Sequence, residues 1–279
     1  MKDFPVSPIG IFDSGYGGLS VFREIKKLLP QSDYLYLGDN AHVPYGGRSF
    51  DMVYKFTWEA VQYLFQQNCM LVIVACNTAS AKALRSIQQK NLPKMGNPLA
   101  RVLGVIRPTA EKVGKITRTK HIGILGTEGT IASESYTMEI KKLFPEIKVV
   151  GHACPMWVPL VECGEYDAEG ADYYVKKDIE EIMEKDSQID TLILACTHYP
   201  LLLSKIKKYT PQGVTIISQG EWVAKSLENY LYRHPEIEGL CSKGGTTCFC
   251  TTDAGKDFKS HASIFLGSEI EEVRHIVLG

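Results

Sequence analysis

The chain has 279 residues, 44% hydrophobic and 23% charged, enough for one large or two smaller globular domains. Its formal net charge is −1, with Lys and Arg interleaved among Asp and Glu, which excludes an electrostatic grip on nucleic acid or on an anionic membrane. No segment approaches the roughly 20 apolar residues of a membrane span, and the start MKDFPVSPIG lacks the apolar core of a signal peptide. A cytoplasmic location is expected, with the eight cysteines as reduced thiols.

Short β-branched runs alternate with amphipathic stretches. IGIF (9–12), YLYL (34–37) and LVIVA (71–75) read as strands, and 19–29 and 49–67 between them carry apolar residues at helical spacing. The pattern predicts an α/β domain with a parallel sheet. A polar segment, QQKNLPKMGNPLA (88–100), interrupts it. The strand RVLGVI (101–106) follows, with Pro108 just after. The alternation then restarts: strands at 121–126, 147–153 and 191–195, helices near 131–144 and 168–185. VTIIS (214–218), a helix near 221–232 and TTCFCTT (246–252) could complete either half.

The restart has the character of a repeat. GIFDSGYGG is echoed by GILGTEGT, and LVIVACNTAS by LILACTHYP, in the same order and at similar offsets. Ligands of open α/β sheets bind beyond the carboxyl ends of the strands. The loops there hold Asp13-Ser14-Gly15-Tyr16-Gly17-Gly18, then Gly38-Asp39-Asn40 leading to Tyr45-Gly46-Gly47, then Cys76-Asn77-Thr78. In the second half they hold Gly126 to Thr130 and Cys196-Thr197-His198. The first loop runs G-x-G-x-x-S from Gly15, with Asp39 near where a ribose-binding acid would fall. Ser20 at the third fingerprint position and the carboxylate of Asp13 weigh against a nucleotide, and a tight turn is the simpler reading.

A single cysteine at a strand end is ordinarily a packed apolar side chain. Two at equivalent positions, Cys76 and Cys196, point further. A helix amino terminus favours a thiolate and lowers the pKa of a thiol, and its free N–H groups can hold a carboxylate. Two thiols facing each other across a cleft suit inversion of a stereocentre. One removes a proton from one face of a carbon and the other delivers a proton to the opposite face. Asp13 and His198 could exchange protons with the thiols. Asp13 equally suits a helix or turn cap, and His198 a satisfied loop histidine. Cys69, Cys154 and Cys163 lack polar loop partners and read as structural. Cys241, Cys248 and Cys250 near His234 make a poor metal set, since C-x-C in an alternating strand rarely has ligand geometry. No lysine stands in the strand-end turns, as a pyridoxal enzyme would need.

At these residues the sequence resembles the glutamate racemase family. GIFDSGYGGLSV, YLGDNAHVPYG, VIVACNTASA, GILGTEGTIASESY, CPMWVPLVE and LILACTHYPLL lie in family order, and TTDAGKDFKSHASIFLG is similar to the family's ending. The resemblance implies two pseudo-symmetric flavodoxin-like α/β domains with parallel sheets and the active site in the cleft between them. The tail would return to the first domain, giving 1–106 plus 219–279 and 107–218. It implies a cofactor-independent, metal-free enzyme, commonly a homodimer, that interconverts L- and D-glutamate and supplies the D-isomer for peptidoglycan. Cys76 and Cys196 would be the two bases, with Asp13 and His198 assisting. Asp13, Ser14, Tyr45, Gly46, Asn77, Thr78, Thr197 and His198 would contact substrate, with Thr130 and Glu162 near it. Two features depart from the family: Ser218-Gln219 stands where many relatives carry an acidic-serine pair, and the 88–100 connection is longer and more basic. The rivals are a racemase for aspartate or a related cyclic substrate, an acyl-transfer enzyme using Cys196 and His198, and a non-catalytic two-lobed binding protein.

Overall fold

Parallel pairing joins every strand neighbour in two separate sheets. The computed structural model describes residues 7–279; residues 1–6, which open the expected first domain and the segment read for a signal peptide, lie outside the described residues. The first sheet contains β1 (Ile9–Asp13), β2 (Tyr34–Gly38), β3 (Leu71–Val74), β4 (Arg101–Gly104), β9 (Thr247–Thr251) and β10 (Arg274–His275), in the order β10-β9-β2-β1-β3-β4. The second contains β5 (His121–Gly126), β6 (Lys148–Ala153), β7 (Thr191–Ala195) and β8 (Thr215–Ile217), in the order β6-β5-β7-β8. β1, β2, β3 and β7 are buried along their whole length. That explains why these strands are apolar without alternation: parallel strands are covered on both faces.

The chain crosses between the sheets twice. The first crossing becomes a helix, Ile106–Val113, where the sequence suggested a strand to residue 106. β4 stops at Gly104, and Pro108 falls in the first helical turn, where its missing N–H costs nothing. The second crossing leads into the helix Gly220–Arg233, which packs on the helix Leu19–Leu28 beneath the first sheet. The expected helix over 131–144 is two helices, Glu128–Ala132 and Ser135–Leu143, broken where Glu134 takes a left-handed φ of 54°. The 88–100 connection opens in helical turns over 87–95 before it loops back.

Phe22 is fully buried, with its ring 5.2 Å from Tyr34, 5.9 Å from Tyr36 and 6.0 Å from Phe249. The late strand β9 therefore completes the aromatic packing of the early ones. One apolar cluster runs from Ile9, Ile11 and Phe22 under the first sheet to Trp157, Leu194 and Tyr199 of the second half.

The halves meet at close range at the Gly-rich loop. A Cβ on Gly17 would lie 2.4 Å from Thr197 Oγ1 and 2.5 Å from His198 Nδ1. Ser20 Oγ lies 2.8 Å from Gly17 O and 2.9 Å from Thr197 O, sharing its proton between the two carbonyls. The loop read as a possible phosphate cradle is thus filled by the other half of the chain. Gly17→Ala is expected to cost about 1–3 kcal/mol by overpacking this contact. Gly170→Ala, with nothing within 4 Å of its added Cβ, should leave the melting midpoint unchanged or slightly raised. Differential scanning calorimetry of the two variants checks this.

Candidate active site

The carboxyl ends of β1, β3, β5 and β7 converge on a cavity of about 230 Å³ between the two halves. Ser14, Tyr45, Gly46, Cys76, Asn77 and Thr78 line it from the first half, and Glu162, Cys196, Thr197 and His198 from the second. Of the residues singled out from the sequence, Asp13 and Thr130 do not line it. Asp13 is fully buried at the end of β1, and Thr130 sits behind the wall.

Cys76 follows β3 and caps the helix Asn77–Lys82, its Sγ accepting from the Ala79 N–H at 3.4 Å. The helix terminus was expected to lower its pKa. The structure shows the opposite: burial, and then the neighbouring Asp13 charge, push the thiol up to about 12, outweighing the hydrogen bonds from Ala79 and Ser14. Asp13 is held above the ordinary carboxyl range by burial, against the pull of the His198 charge. Its Oδ2 accepts from the Gly15 N–H at 3.0 Å, while Oδ1 has no hydrogen-bond partner among the described residues. Cys76 and Asp13 together favour a protonated pair.

The second thiol has different surroundings. Pro200 follows within four residues, and the chain after Cys196 passes through a 3₁₀ turn, Tyr199–Leu202, before the α-helix Leu203–Tyr209, so no helix begins at the thiol itself. What faces the sulfur is a histidine: Cys196 Sγ lies 3.8 Å from His198 Nδ1, and His198 Nε2 lies 2.8 Å from Glu162 Oε1. Glu162 ends the helix Trp157–Glu162, which is anchored by the buried Trp157 against Tyr199 at 4.7 Å. Burial opposes a charged imidazole, but hydrogen bonds to Cys196 and Glu162, with their charges, prevail and push His198 up to about 10.

Across the cleft, the hydroxyls of Thr78, Thr127 and Thr130 form a triangle with sides of 3.0, 3.1 and 3.3 Å, which explains Thr130's place behind the wall. The Gly129 N–H donates to Gly46 O at 2.8 Å. Tyr45 is fixed by its hydroxyl donating to Asp39 Oδ2 at 2.6 Å, and Thr252 donates to Asp39 Oδ1 at 2.7 Å. Asp39, considered as a ribose ligand, is thus spent on orienting Tyr45.

Thr127 and Glu128 also line the cavity; they belong to the strand-end loop Gly126 to Thr130 but were not assigned a site role of their own. Val158 and Pro159 line it too. Cys154, read as structural, reaches the cavity wall; burial and the Asp178 charge keep its thiol well above the ordinary range. Cys154, His152 and Asp178 form the cluster of metal-ligating types among the described residues. That cluster already holds a cation: Lys185 Nζ lies 2.9 Å from His152 Nδ1, and Asp178 takes Nε2 at 3.1 Å. Cys241, Cys248, Cys250 and His234 are not brought together as a ligand set. A larger cavity, about 600 Å³, lies elsewhere between the halves and contains neither strand-end thiol. Among the described residues no helix is long and apolar enough to cross a membrane.

The His198 geometry has a measurable consequence. Its imidazole should stay doubly protonated through pH 8 and titrate near 10, against about 6.5 in the unfolded chain. A pKa raised by folding adds stability that is full below pH 6.5 and is lost as pH rises through about 10. Ring ¹⁵N shifts across that range report it, and a midpoint near 6.5 would contradict the Glu162–His198–Cys196 arrangement.

Comparison with known proteins agrees with this architecture. The family model described as Asp/Glu/Hydantoin racemase matches residues 9–227. A glutamate racemase of Bacillus cereus is 40% identical over 270 residues, covering 97% of each chain, and one of Geobacter metallireducens is 39% identical over 98% of each. Among solved structures, a glutamate racemase isoform from Bacillus anthracis superposes with a TM-score of 0.87 at 38% identity, covering 98% of both chains. The enzyme from Francisella tularensis, solved with D-glutamate, gives 0.86 at 30% identity over 98% of both. With the match running nearly end to end in sequence and in fold, the chain belongs to the Asp/Glu/hydantoin racemase family.

Proposed function

We propose that this protein is a cofactor-independent glutamate racemase that exchanges the α-proton of L- and D-glutamate between Cys76 and Cys196. The observation that carries the reading is the pair of buried thiols at corresponding strand ends, lining one cavity with unlike proton partners. Its close relatives are named glutamate racemases, and one solved relative carries D-glutamate.

The two sulfurs start in opposite states. One starts as the thiolate and the other keeps its proton; Cys196 faces the His198 imidazolium and Cys76 lies beside Asp13, in a site that burial holds protonated. The thiolate takes the α-proton, the electron pair stays on the carbon as a carbanion, and the facing thiol gives its proton to the other side. Each turnover leaves the pair inverted and ready for the reverse reaction. Asp13 and His198 serve as proton partners of their thiols. Backbone N–H groups at the start of the helix Asn77–Lys82, with Ser14 and Thr197, hold the amino-acid head. Tyr45, Gly46, Thr78 and Thr127 take the side-chain carboxylate, with Thr130 bracing the two threonines from behind.

Sheet membership supports a division into 1–106 plus 219–279 and 107–218, with the second thiol on the second domain. A homodimer working in the cytoplasm to supply D-glutamate for peptidoglycan completes the reading; dimerisation and location rest on the family resemblance.

Incubation with L-glutamate in heavy water tests the chemistry. Early D-glutamate should carry α-deuterium while the remaining L-glutamate stays largely unlabelled. Cys76→Ala and Cys196→Ala should each lower turnover by about 10³-fold or more with the fold intact by circular dichroism. Activity at the parent level in either variant would remove that cysteine from the mechanism, and turnover of aspartate alone would reassign the substrate.

A further inference from the structure

Gln219, at the second crossing of the chain, is 4% exposed and lies one residue before the helix Gly220–Arg233. It is half of the Ser218-Gln219 pair to which the sequence assigned no role. Its Nε2 donates to the Tyr136 hydroxyl and to Thr109 Oγ1, the latter at 2.8 Å. The Tyr136 hydroxyl donates to Asn77 Oδ1 at 2.5 Å, and Asn77 Nδ2 donates back to Gln219 Oε1 at 2.8 Å. Gln219, Tyr136 and Asn77 therefore close a ring in which each side chain donates to the next. Thr109 leads away from it, its hydroxyl donating to Val105 O at 3.0 Å. All four residues are buried.

The ring joins parts of the chain that are far apart in sequence. Asn77 opens the helix next to Cys76, Tyr136 stands in the second half, Thr109 is on the first crossing, and Gln219 is on the second. Both head-group atoms of Asn77 are taken up by it. The ring thus fixes the orientation in which Asn77 presents its backbone and the second N–H of its amide beside the cavity. Only a carboxamide suits position 219, because one acceptor and two donors are needed from one side chain. A glutamate would keep the bond from Asn77 but has no N–H to donate; Tyr136 and Thr109 could reach it only by turning their hydroxyl protons away from Asn77 Oδ1 and Val105 O, which opens the ring.

We propose that Gln219 is a positioning residue: through the ring it fixes Asn77, and with it the helix terminus beside Cys76, against the second half of the cleft. The inference rests on the racemase reading. It predicts that the ring acts on substrate binding at a distance, and that opening it at any edge has the same effect.

Steady-state kinetics with both enantiomers of glutamate test it, alongside melting midpoints, for Gln219→Ala, Gln219→Glu, Tyr136→Phe and the double variant Gln219→Ala/Tyr136→Phe. Each single change should raise KM by about fivefold or more with a smaller change in kcat. The double variant should be no worse than its poorer parent, because both remove one ring. Tyr136→Phe preserves volume, so it serves if Gln219→Ala folds poorly. Parent KM and kcat with only a lowered melting midpoint would reduce the ring to packing, and multiplicative losses in the double variant would show that Gln219 and Tyr136 act separately; either overturns the proposal. Absence of glutamate turnover in the parent chain is the distinct result that would fell the racemase reading, and this inference with it.

Discussion

The approach of Gly17 to Thr197 and His198 is the contact on which the cleft depends. A backbone without a side chain lets one half press against the other at the point where the second thiol's loop emerges. Ser20 then ties that loop to the Gly-rich turn by sharing its proton between Gly17 O and Thr197 O. With the loop pinned, His198 has one place to go, between Cys196 and Glu162. The same contact brings the His198 charge close enough to bear on Asp13 in the opposite half. Glycine richness here marks proximity of two protein surfaces, not a phosphate.

The two halves echo each other in strand order, and yet their thiols are unlike. Cys76 is handled by backbone and burial: a helix amide, a dry site and a buried carboxyl. Cys196 is handled by side chains, with an imidazolium backed by a carboxylate. In the first half a helix opens directly after Cys76, whereas after Cys196 a 3₁₀ turn comes first and His198 stands ahead of it. Two-base chemistry needs one proton on two sites at any moment. In the proposed mechanism, the unlike partners of the two sulfurs are what would tell them apart.

Much of this was legible in the chain. Strands buried on both faces declare themselves as unbroken apolar runs, and the polar residues that follow them mark the strand ends. The echo of VIVACNTAS in LILACTHYP pointed to the two cysteines that the fold brings to one cavity. Other parts were not legible, for physical reasons. The helix Ile106–Val113 was hidden by a proline that the first turn tolerates. Cys154 reads as packing because its approach to the cavity depends on how β6 sits beside β5, not on its neighbours in sequence. The ring of Asn77, Tyr136 and Gln219 is built from contacts that span 59, 83 and 142 positions, beyond any local pattern. The Gly-rich loop was ambiguous because the same residues serve a phosphate or a protein surface, and only the tertiary contact decides.

The order of strands in the first sheet bears on how the molecule is made. β2 is bordered on its outer side by β9, which begins at Thr247. On the ribosome, at roughly 5–20 residues per second, on the order of ten to forty seconds separate the two strands. During that interval β2 is an open edge, and the face of Phe22 later covered by Phe249 is bare. Such an edge is a template for pairing with a neighbouring nascent chain. The second half, whose strands are contiguous in sequence, can form while the first still waits. Successful biogenesis is thus a matter of keeping one early strand unpaired until the end of the chain arrives.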